Sequence, residues 1–304
     1  MIQQAKHPPI VTRWLSLIRA FKFIANPIPI LNENLQRYGD TYQFHIGGLQ
    51  KGLVTVDPSI IQHVLQKNHR NYRKSNIQTG TLAHYVGNGL LTSEGPYWLR
   101  QRRLIQPGFH RDRLAGLVTL MNHEIDQYVA SLQHRLKSTN EIDIYQDMHY
   151  LAFRIVARTL FSTEIDEGEL TRLSNSLTVL QSFIIQEIRQ PFLKWWFKAS
   201  GKIKKHEQIA QDVKDIIRRL IDDRLKGEER HDDLLQMLLE VQYEDTGETM
   251  SPQQLLDESL ILFVAGHETS ANALAWMFQM LSEHPEVEVN LSLIHISEPT
   301  RPVG

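Results

Sequence analysis

Hydrophobic residues recur at three- and four-residue spacing through most of this 304-residue chain. That spacing is the period of an amphipathic helix, so the pattern predicts a mainly α protein. Start and stop signals, such as the Asp57–Pro58 pair and Gly39, divide the pattern into separate helices. The predicted helices cover residues 31–38, 57–65, 111–136, 146–161, 170–189, 202–225 and 251–284.

Short runs of β-branched and aromatic residues predict a small β-sheet near the N-terminus. Residues 42–46 and 53–56 form two such runs on either side of the Gly47–Gly48 pair. A third strand candidate lies at residues 142–144. Residues 68–89 contain several glycines and are predicted to be irregular.

The longest predicted helix covers residues 251–284. Ser251, Pro252 and Gln254 form a capping start, and Pro285 supplies the stop. At about 1.5 Å per residue this helix spans roughly 50 Å, enough to cross a large domain. Its first half offers little polar surface, so we expect it to be buried on most sides.

The hexapeptide at 265–270, AGHETS, interrupts this apolar helix with a side-chain-free gap beside a carboxylate and two hydroxyls. Gly266 in a helix interior costs about 0.5 to 1 kcal/mol relative to alanine, so it needs a physical reason. One interpretation is that Gly266 admits a neighbouring helix, Thr269 bonds back to the carbonyl of Ala265, and Glu268 faces water. The other is that a flat ligand lies against the gap and receives protons there.

Two motifs together resemble the cytochrome P-450 superfamily. The hexapeptide resembles that family's oxygen-activating helix, whose pattern is Ala/Gly-Gly-x-Asp/Glu-Thr-Thr/Ser. Upstream, residues 95–103, GPYWLRQRR, followed by Pro107-Gly108-Phe109, resemble its C helix with a Trp-x-x-x-Arg signature. Trp98 and Arg102 of this signature lie one helical turn apart, where an indole N–H and a guanidinium can both donate to a carboxylate.

The resemblance implies a fold, a cofactor and site residues. The expected fold is mainly α with a small N-terminal β-sheet, the N-terminal two-thirds of the cytochrome P-450 fold. The implied cofactor is heme b, with Trp98 and Arg102 at a propionate and Ala265 and Gly266 leaving room for dioxygen. Thr269 would offer its hydroxyl to the bound oxygen, and Glu268 would link that site to solvent as a proton relay.

The chain contains no cysteine, whereas family members bind haem iron through a cysteine thiolate. The family's Glu-x-x-Arg pattern is also missing, since Glu268 is followed by Ala271 and Glu283 by Glu286. We therefore expect residues 1–290 to be a truncated cytochrome P-450 domain that is inactive by itself and holds no metal ligand. Residues 291–304 begin LSLIHISEPTR, which resembles a translated sequencing-library adapter, and are predicted to be a non-native tail.

Composition narrows the location and the partners. The net charge is only −2, so the overall charge balance does not indicate nucleic acid or an anionic membrane as a binding partner. Residues 1–25 mix four cations into their apolar residues and contain no run long enough for a membrane helix or a signal peptide. The expectation is a cytoplasmic, soluble protein of bacterial type without a stable membrane anchor.

The connection at residues 191–198, PFLKWWFK, combines aromatic and basic side chains. It resembles the family's access lid between the F and G helices. A simpler interpretation is a loop whose aromatic residues pack under the flanking helices. A third interpretation is transient membrane contact, because tryptophan next to lysine suits a bilayer interface.

The predicted function is a haem-dependent monooxygenase that hydroxylates an apolar, fatty-acid-like substrate. It would use dioxygen and electrons from a ferredoxin or a flavodoxin/reductase partner. The alternative is a non-catalytic helical binder of hydrophobic ligands, which would explain the apolar content but not the paired motifs. A zinc hydrolase is excluded, because neither His267-Glu268 nor His123-Glu124 continues into the His-Glu-x-x-His pattern.

Overall fold

The computed structural model describes residues 7–46, 48–139, 141–162, 166–227 and 230–297. It is mainly helical with one two-stranded antiparallel sheet, which confirms the predicted fold class. The strands are β1 (Thr41–Ile46) and β2 (Gln50–Thr55). The helices are α1 (Arg13–Ile18), α2 (Ala20–Ala25), α3 (Pro27–Tyr38), α4 (Pro58–Gln62), α5 (Ala83–Val86), α6 (Gly95–Ile105), α7 (Arg111–Arg135), α8 (Ile144–Phe161), α9 (Glu167–Arg189), α10 (Lys194–Ala199), α11 (Lys202–Lys226), α12 (Leu234–Glu240), α13 (Pro252–Glu283) and α14 (Pro285–Ser297).

The predicted sheet is confirmed, but the third strand candidate is wrong. In the sheet, Thr41 lies opposite Thr55 and Ile46 lies opposite Gln50. Residues 142–144 form no strand, because the side chain of Asp143 accepts a hydrogen bond from the backbone N–H of Gln146 and caps α8. An N-cap therefore overrides the short β-branched run.

Two connections contain more helix than their composition predicted. Within residues 68–89, a π-helical segment (Ile77–Leu82) leads into α5, which ends at Gly87 with a φ of 87°. The aromatic connection at 191–198 includes a 3₁₀ turn (Pro191–Leu193) and most of α10. Residues 291–297 of the predicted tail form the end of α14. Residues 298–304 of the predicted tail lie outside the described residues.

The chain divides into two compact units, the first formed by residues 1–99 and 175–215. In this unit Tyr42 of β1 is fully buried, and its hydroxyl lies 3.5 Å from the carbonyl oxygen of Leu31 in α3. An aromatic cluster surrounds Phe183 of α9. The Phe183 ring stacks on His206 of α11 at 3.8 Å and meets Phe197 of α10 and Tyr85 of α5 edge-on.

The second unit comprises residues 100–174 and 216–304. Its centre is the contact between α8 and α13, where the rings of Phe153 and Phe263 meet edge-on with centroids 4.9 Å apart. On its other side α8 packs against α7, and there Arg135 donates two hydrogen bonds of 2.9 and 2.8 Å to Asp147. Tyr128 donates a third hydrogen bond to Asp147, so apolar and polar contacts fix α8.

The predicted capping start of α13 is confirmed. The Ser251 hydroxyl accepts from the N–H of Gln254, and the Gln254 side chain accepts from the N–H of Ser251. The helix runs for 32 residues from Pro252, and Pro285 begins the next helix. Buried side chains concentrate in its first half, including Leu255, Leu260 and Phe263, as the apolar pattern predicted.

Tyr243, in the turn that precedes α13, joins that helix to α6. Its hydroxyl oxygen accepts hydrogen bonds from Gln101 Nε2 at 2.7 Å and from Gln254 Nε2 at 2.6 Å. The guanidinium of Arg100 lies over the Tyr243 ring, 3.8 Å from its centroid. One buried side chain therefore sets the spacing between the two helices that carry the sequence motifs.

Gly108 marks a second close contact in this unit. A Cβ atom at this position would lie 1.7 Å from Met237 Sδ and 2.3 Å from Met237 Cγ. Met237, in α12, is 2% exposed. Glycine is therefore needed at 108 because the Met237 side chain fills the space of any larger residue.

Candidate functional site

An exposed strip of small side chains runs along α13. Ala265, Thr269 and Ala273 recur every four residues and are all exposed. His267 and Ala271, on the other side of the helix, are buried. Because residues four apart lie on one face of a helix, the strip is a shallow surface suited to a flat ligand.

Thr269 is held in place by its own helix. Its Oγ1 donates a hydrogen bond of 2.7 Å to the carbonyl oxygen of Ala265. This back-bond uses the hydroxyl hydrogen and leaves the oxygen lone pairs available on an exposed side chain. In this arrangement the hydroxyl is oriented as a hydrogen-bond acceptor toward anything bound on the strip.

Gly266 faces α8. A Cβ atom added to it would lie 3.1 Å from Val156 Cγ2, closer than ordinary van der Waals contact. The structure therefore shows Gly266 in the packing role that was one of the two interpretations, and its predicted part in oxygen binding stays a prediction. Glu268, the next acidic residue, is half-buried.

His267 is the site residue that the sequence analysis left without a role. It is 1% exposed, and its ring meets His149 and Phe153 of α8 edge-on, with centroids 5.2 and 5.1 Å away. Among the described residues neither ring nitrogen has a hydrogen-bond partner. Burial, together with the smaller effect of the neighbouring His149, lowers the pKa of His267 to about 4. Its four-residue spacing from buried Phe263 and Ala271 could have identified it as a core residue.

Trp98 and Arg102 both belong to α6 and lie one helical turn apart, as predicted. Trp98 is half-buried in the first unit, where Lys74 Nζ lies 5.6 Å from its ring centroid and donates to the carbonyls of Leu90 and Leu91. Arg102, in the second unit, is exposed.

The two neighbouring arginines of α6 differ in their surroundings. Arg100 stacks on Tyr243, and its Nη2 lies 3.5 Å from Asp245 Oδ1. Arg103 is exposed.

Comparison with known proteins identifies the family. The family model for cytochrome P-450 matches residues 8–292. Cyclooctat-9-en-7-ol 5-monooxygenase of Streptomyces melanosporofaciens is 28% identical over 255 residues, which cover 84% of this chain and 54% of that protein. Pentalenene oxygenase of Streptomyces avermitilis is 28% identical over 272 residues, which cover 90% of this chain and 59% of that protein.

The fold agrees with this assignment. The retinoic acid bound cyanobacterial CYP120A1 superposes with a TM-score of 0.76 at 17% sequence identity, over 94% of this chain and 62% of that one. The chain belongs to the cytochrome P-450 family. It spans about half the length of the curated relatives that it matches.

Family membership implies a haem cofactor, and the residues of α6 and α13 fit the part of the site that they would form. Ala265 and Thr269 present a shallow exposed surface, and Arg102 is an exposed cation of the kind that pairs with a propionate. The 304 residues contain no cysteine, so the thiolate ligand of the iron is not among them. Within the described part of the chain no cluster of three or more His, Asp or Glu could hold a metal ion.

No helix in the described ranges is both long enough and apolar enough to cross a membrane.

Proposed function

We propose that this chain supplies the oxygen-side half of the active site of a haem-dependent monooxygenase. The observation that carries the proposal is the exposed strip on α13, where the Thr269 hydroxyl is fixed by its bond to Ala265 beside small side chains. Haem, when bound, supplies the activation of dioxygen for insertion into a C–H bond. The residues of this chain would position the haem and control the supply of protons to its oxygen side.

Each site residue has a separate task in this proposal. Arg102 and Trp98 would donate to a haem propionate from one turn of α6. Ala265 would leave space above the porphyrin. Thr269 would accept a hydrogen bond at its Oγ1 and so hold a proton-carrying water at the site, and half-buried Glu268 would supply protons from solvent.

The substrate and the partners are proposed at the level of chemical class. An apolar, fatty-acid-like molecule is the first candidate. A terpene is the second, because two bacterial relatives are named for the oxidation of cyclooctat-9-en-7-ol and of pentalenene. Electrons would come from a ferredoxin or a flavodoxin/reductase partner, and the reaction would take place in the cytoplasm.

The domain boundary is also part of the proposal. Residues 1–290 would be native cytochrome P-450 sequence, and residues 291–304 would be a non-native tail. The support for this boundary is that the family match ends at residue 292. The absence of cysteine bears on activity, since a monooxygenase of this family needs a thiolate that this chain lacks. By itself the 304-residue chain would be inactive.

The test is spectroscopic. The protein encoded by the uninterrupted genomic reading frame around residues 1–290 is purified, reduced and exposed to carbon monoxide. We expect the absorption band of a thiolate-ligated haem, and we expect the 304-residue chain to lack that band. A genomic product without the band, or one that binds apolar ligands without any haem, would favour the non-catalytic binder instead.

A further inference from the structure

A small cavity lies in the first unit where several elements meet. Its volume is about 20 Å³, which is room for one group of about the size of a water molecule. Its polar lining comes from five parts of the chain, namely Ser16 of α1, Arg19 between α1 and α2, Asn34 of α3, His45 of β1 and Arg189 of α9. The cavity therefore brings together polar side chains that are distant in sequence.

Three polar atoms of this lining are buried and have no hydrogen-bond partner among the residues that the structure describes. They are Arg19 Nη1, Asn34 Oδ1 and His45 Nδ1. Asn34 is only 3% exposed, so its amide is almost fully removed from water. Because a buried polar group without a partner is costly, three of them around one cavity indicate a polar ligand that they share.

The lining of the cavity is positively charged. Arg19 Nη2 forms an ion pair of 2.8 Å with Glu33, whereas Arg189 donates a hydrogen bond of 3.2 Å to the neutral carbonyl of Ile24. Arg189 forms no ion pair with a described residue, and no Asp or Glu of the described ranges lines the cavity. The two guanidinium groups have one carboxylate partner between them, so a bound anion would complete the charge balance.

We infer that this cavity binds one monatomic anion, of which chloride is the abundant example. Arg19 Nη1 donates to it, and His45 Nδ1 donates in the tautomer that carries the hydrogen on that nitrogen. Asn34 donates through Nδ2 after a half-turn of its amide, which exchanges the positions of the amide oxygen and nitrogen. Phosphate and sulfate place four oxygens around a central atom and are too large for a volume of about 20 Å³.

The anion connects elements that lie far apart in the sequence. Arg19 caps the end of α1 and the start of α2, and Asn34, His45 and Arg189 belong to α3, β1 and α9. Binding therefore stabilises the folded first unit, since the unfolded chain holds these residues apart and has no such site. None of the lining residues has a task in the proposed catalysis, so the inference is independent of it.

Urea unfolding of the 304-residue chain tests the inference, because urea adds no ions. Sodium chloride is exchanged for sodium gluconate at constant ionic strength, which keeps general screening the same while the anion becomes too large for the cavity. The equilibrium constant for unfolding should fall as chloride rises, by about tenfold when chloride reaches about nine times its dissociation constant. An unfolding constant that is the same in chloride and in gluconate would overturn the inference.

Matched variants locate the site. Asn34→Asp places a carboxylate in the cavity that takes the place of the anion, so the response to chloride should disappear. In gluconate this variant should unfold no more readily than the parent. Asn32→Asp makes the same change at an exposed position of α3 and should keep the parent's response. A chloride response that survives in Asn34→Asp, or one that is lost equally in both variants, would contradict a site at this cavity.

Bromide shows the position of the ion directly. It is a monatomic anion slightly larger than chloride, and it scatters X-rays anomalously. Crystals of the chain grown in sodium bromide should therefore show an anomalous peak within hydrogen-bond distance of Arg19 Nη1 and His45 Nδ1. A water molecule at this position, without an anomalous peak, would show that solvent satisfies the three buried atoms and would overturn the inference.

Discussion

Thr269 is the residue whose chemistry is most directly testable. In the complete enzyme, Thr269→Ala removes the hydroxyl that is fixed by Ala265, so proton delivery to the bound oxygen should fail. We expect reductant to be consumed while hydrogen peroxide is released and product per electron falls severalfold. The measurement is the ratio of product to reductant consumed.

Thr269→Ser is the matched control for that experiment. Serine can make the same back-bond to the carbonyl of Ala265, so most of the coupling should return. If Thr269→Ala leaves product per electron unchanged, the hydroxyl has no role in proton delivery and only completes the helix surface.

His267 predicts how stability depends on pH. Its pKa is about 4 in the folded chain against an ordinary 6.5, so the unfolded chain binds this proton first as pH falls. The free energy of unfolding should therefore decrease below pH 6.5, by up to about 1.4 kcal/mol per unit, until pH 4. Above pH 6.5 this histidine should contribute no pH dependence.

Urea unfolding of the 304-residue chain at pH 7 and pH 5 measures this effect. His267→Phe, which keeps a ring beside Phe153, should remove about 1 to 2 kcal/mol of the loss between the two values. His134→Gln changes an exposed histidine and should leave the loss as it is. An identical pH dependence in His267→Phe and the parent would show that other groups control acid sensitivity.

At the scale of elements, Gly266 sets how closely α8 approaches α13. Gly266→Leu would drive a branched side chain into Val156, whose Cγ2 lies 3.1 Å from the position of a Cβ. We expect a loss of about 1 to 3 kcal/mol in the free energy of unfolding. Denaturant titration measures it.

Adding Val156→Ala should recover part of that loss, because it removes the atoms that the leucine meets. The coupling between the two changes is the decisive quantity, since neighbouring residues deviate from additivity. If the effects of Gly266→Leu and Val156→Ala on the free energy of unfolding are strictly additive, the strain caused by the leucine arises elsewhere on α13.

Tyr243 joins α6 to α13 through its hydroxyl. Tyr243→Phe leaves the Nε2 groups of Gln101 and Gln254 without their acceptor. A buried donor that loses its partner costs about 1 to 3 kcal/mol, so the variant should be destabilised by an amount in that range. Thermal unfolding detects the change, and Tyr145→Phe, at an exposed position of α8, is a suitable control. A Tyr243→Phe variant as stable as the parent would show that water satisfies both amides.

These elements also show what sequence alone can predict. The capping box at Ser251 was predictable, because all its atoms lie within four residues. The strand candidate at 142–144 failed because Asp143 caps a helix, and two isoleucines on either side of one aspartate are too short a pattern to distinguish these outcomes. The hydrogen bonds by which Tyr243 connects α6 to α13 were not predictable, since one of them comes from Gln101, 142 positions away. Local features such as helix caps can be predicted from neighbouring residues, whereas contacts between distant segments depend on the completed fold.

At the scale of the whole molecule, Arg102 tests the proposed cofactor contact. In the protein encoded by the uninterrupted reading frame, Arg102→Ala removes a charge-assisted hydrogen bond to a propionate, worth about 1.5 to 3 kcal/mol. Haem occupancy should fall, as measured by the ratio of haem to protein. Arg103→Ala changes an exposed arginine of the same helix and should retain haem. Equal loss from both would indicate general destabilisation.

Composition describes the whole molecule only as an average. A net charge of −2 conceals two segments, residues 1–32 and 188–206, that contain no acidic residue. Their proximity became visible only with the hydrogen bond from Arg189 to Ile24. The family, in contrast, was predictable from two short motifs, because each concentrates its chemistry within one helix.

The contact between Gly108 and Met237 determines how the Met237 thioether responds to oxidants. The thioether is almost fully enclosed, so peroxide reaches the sulfur only when α12 moves away from Gly108. Once formed, the sulfoxide carries an added polar oxygen into a space that the unmodified side chain already fills, so packing α12 back against Gly108 costs free energy. Each transient opening in the presence of peroxide therefore leaves a mark at this sulfur until the sulfoxide is enzymatically reduced, and the damage accumulates with the time spent open.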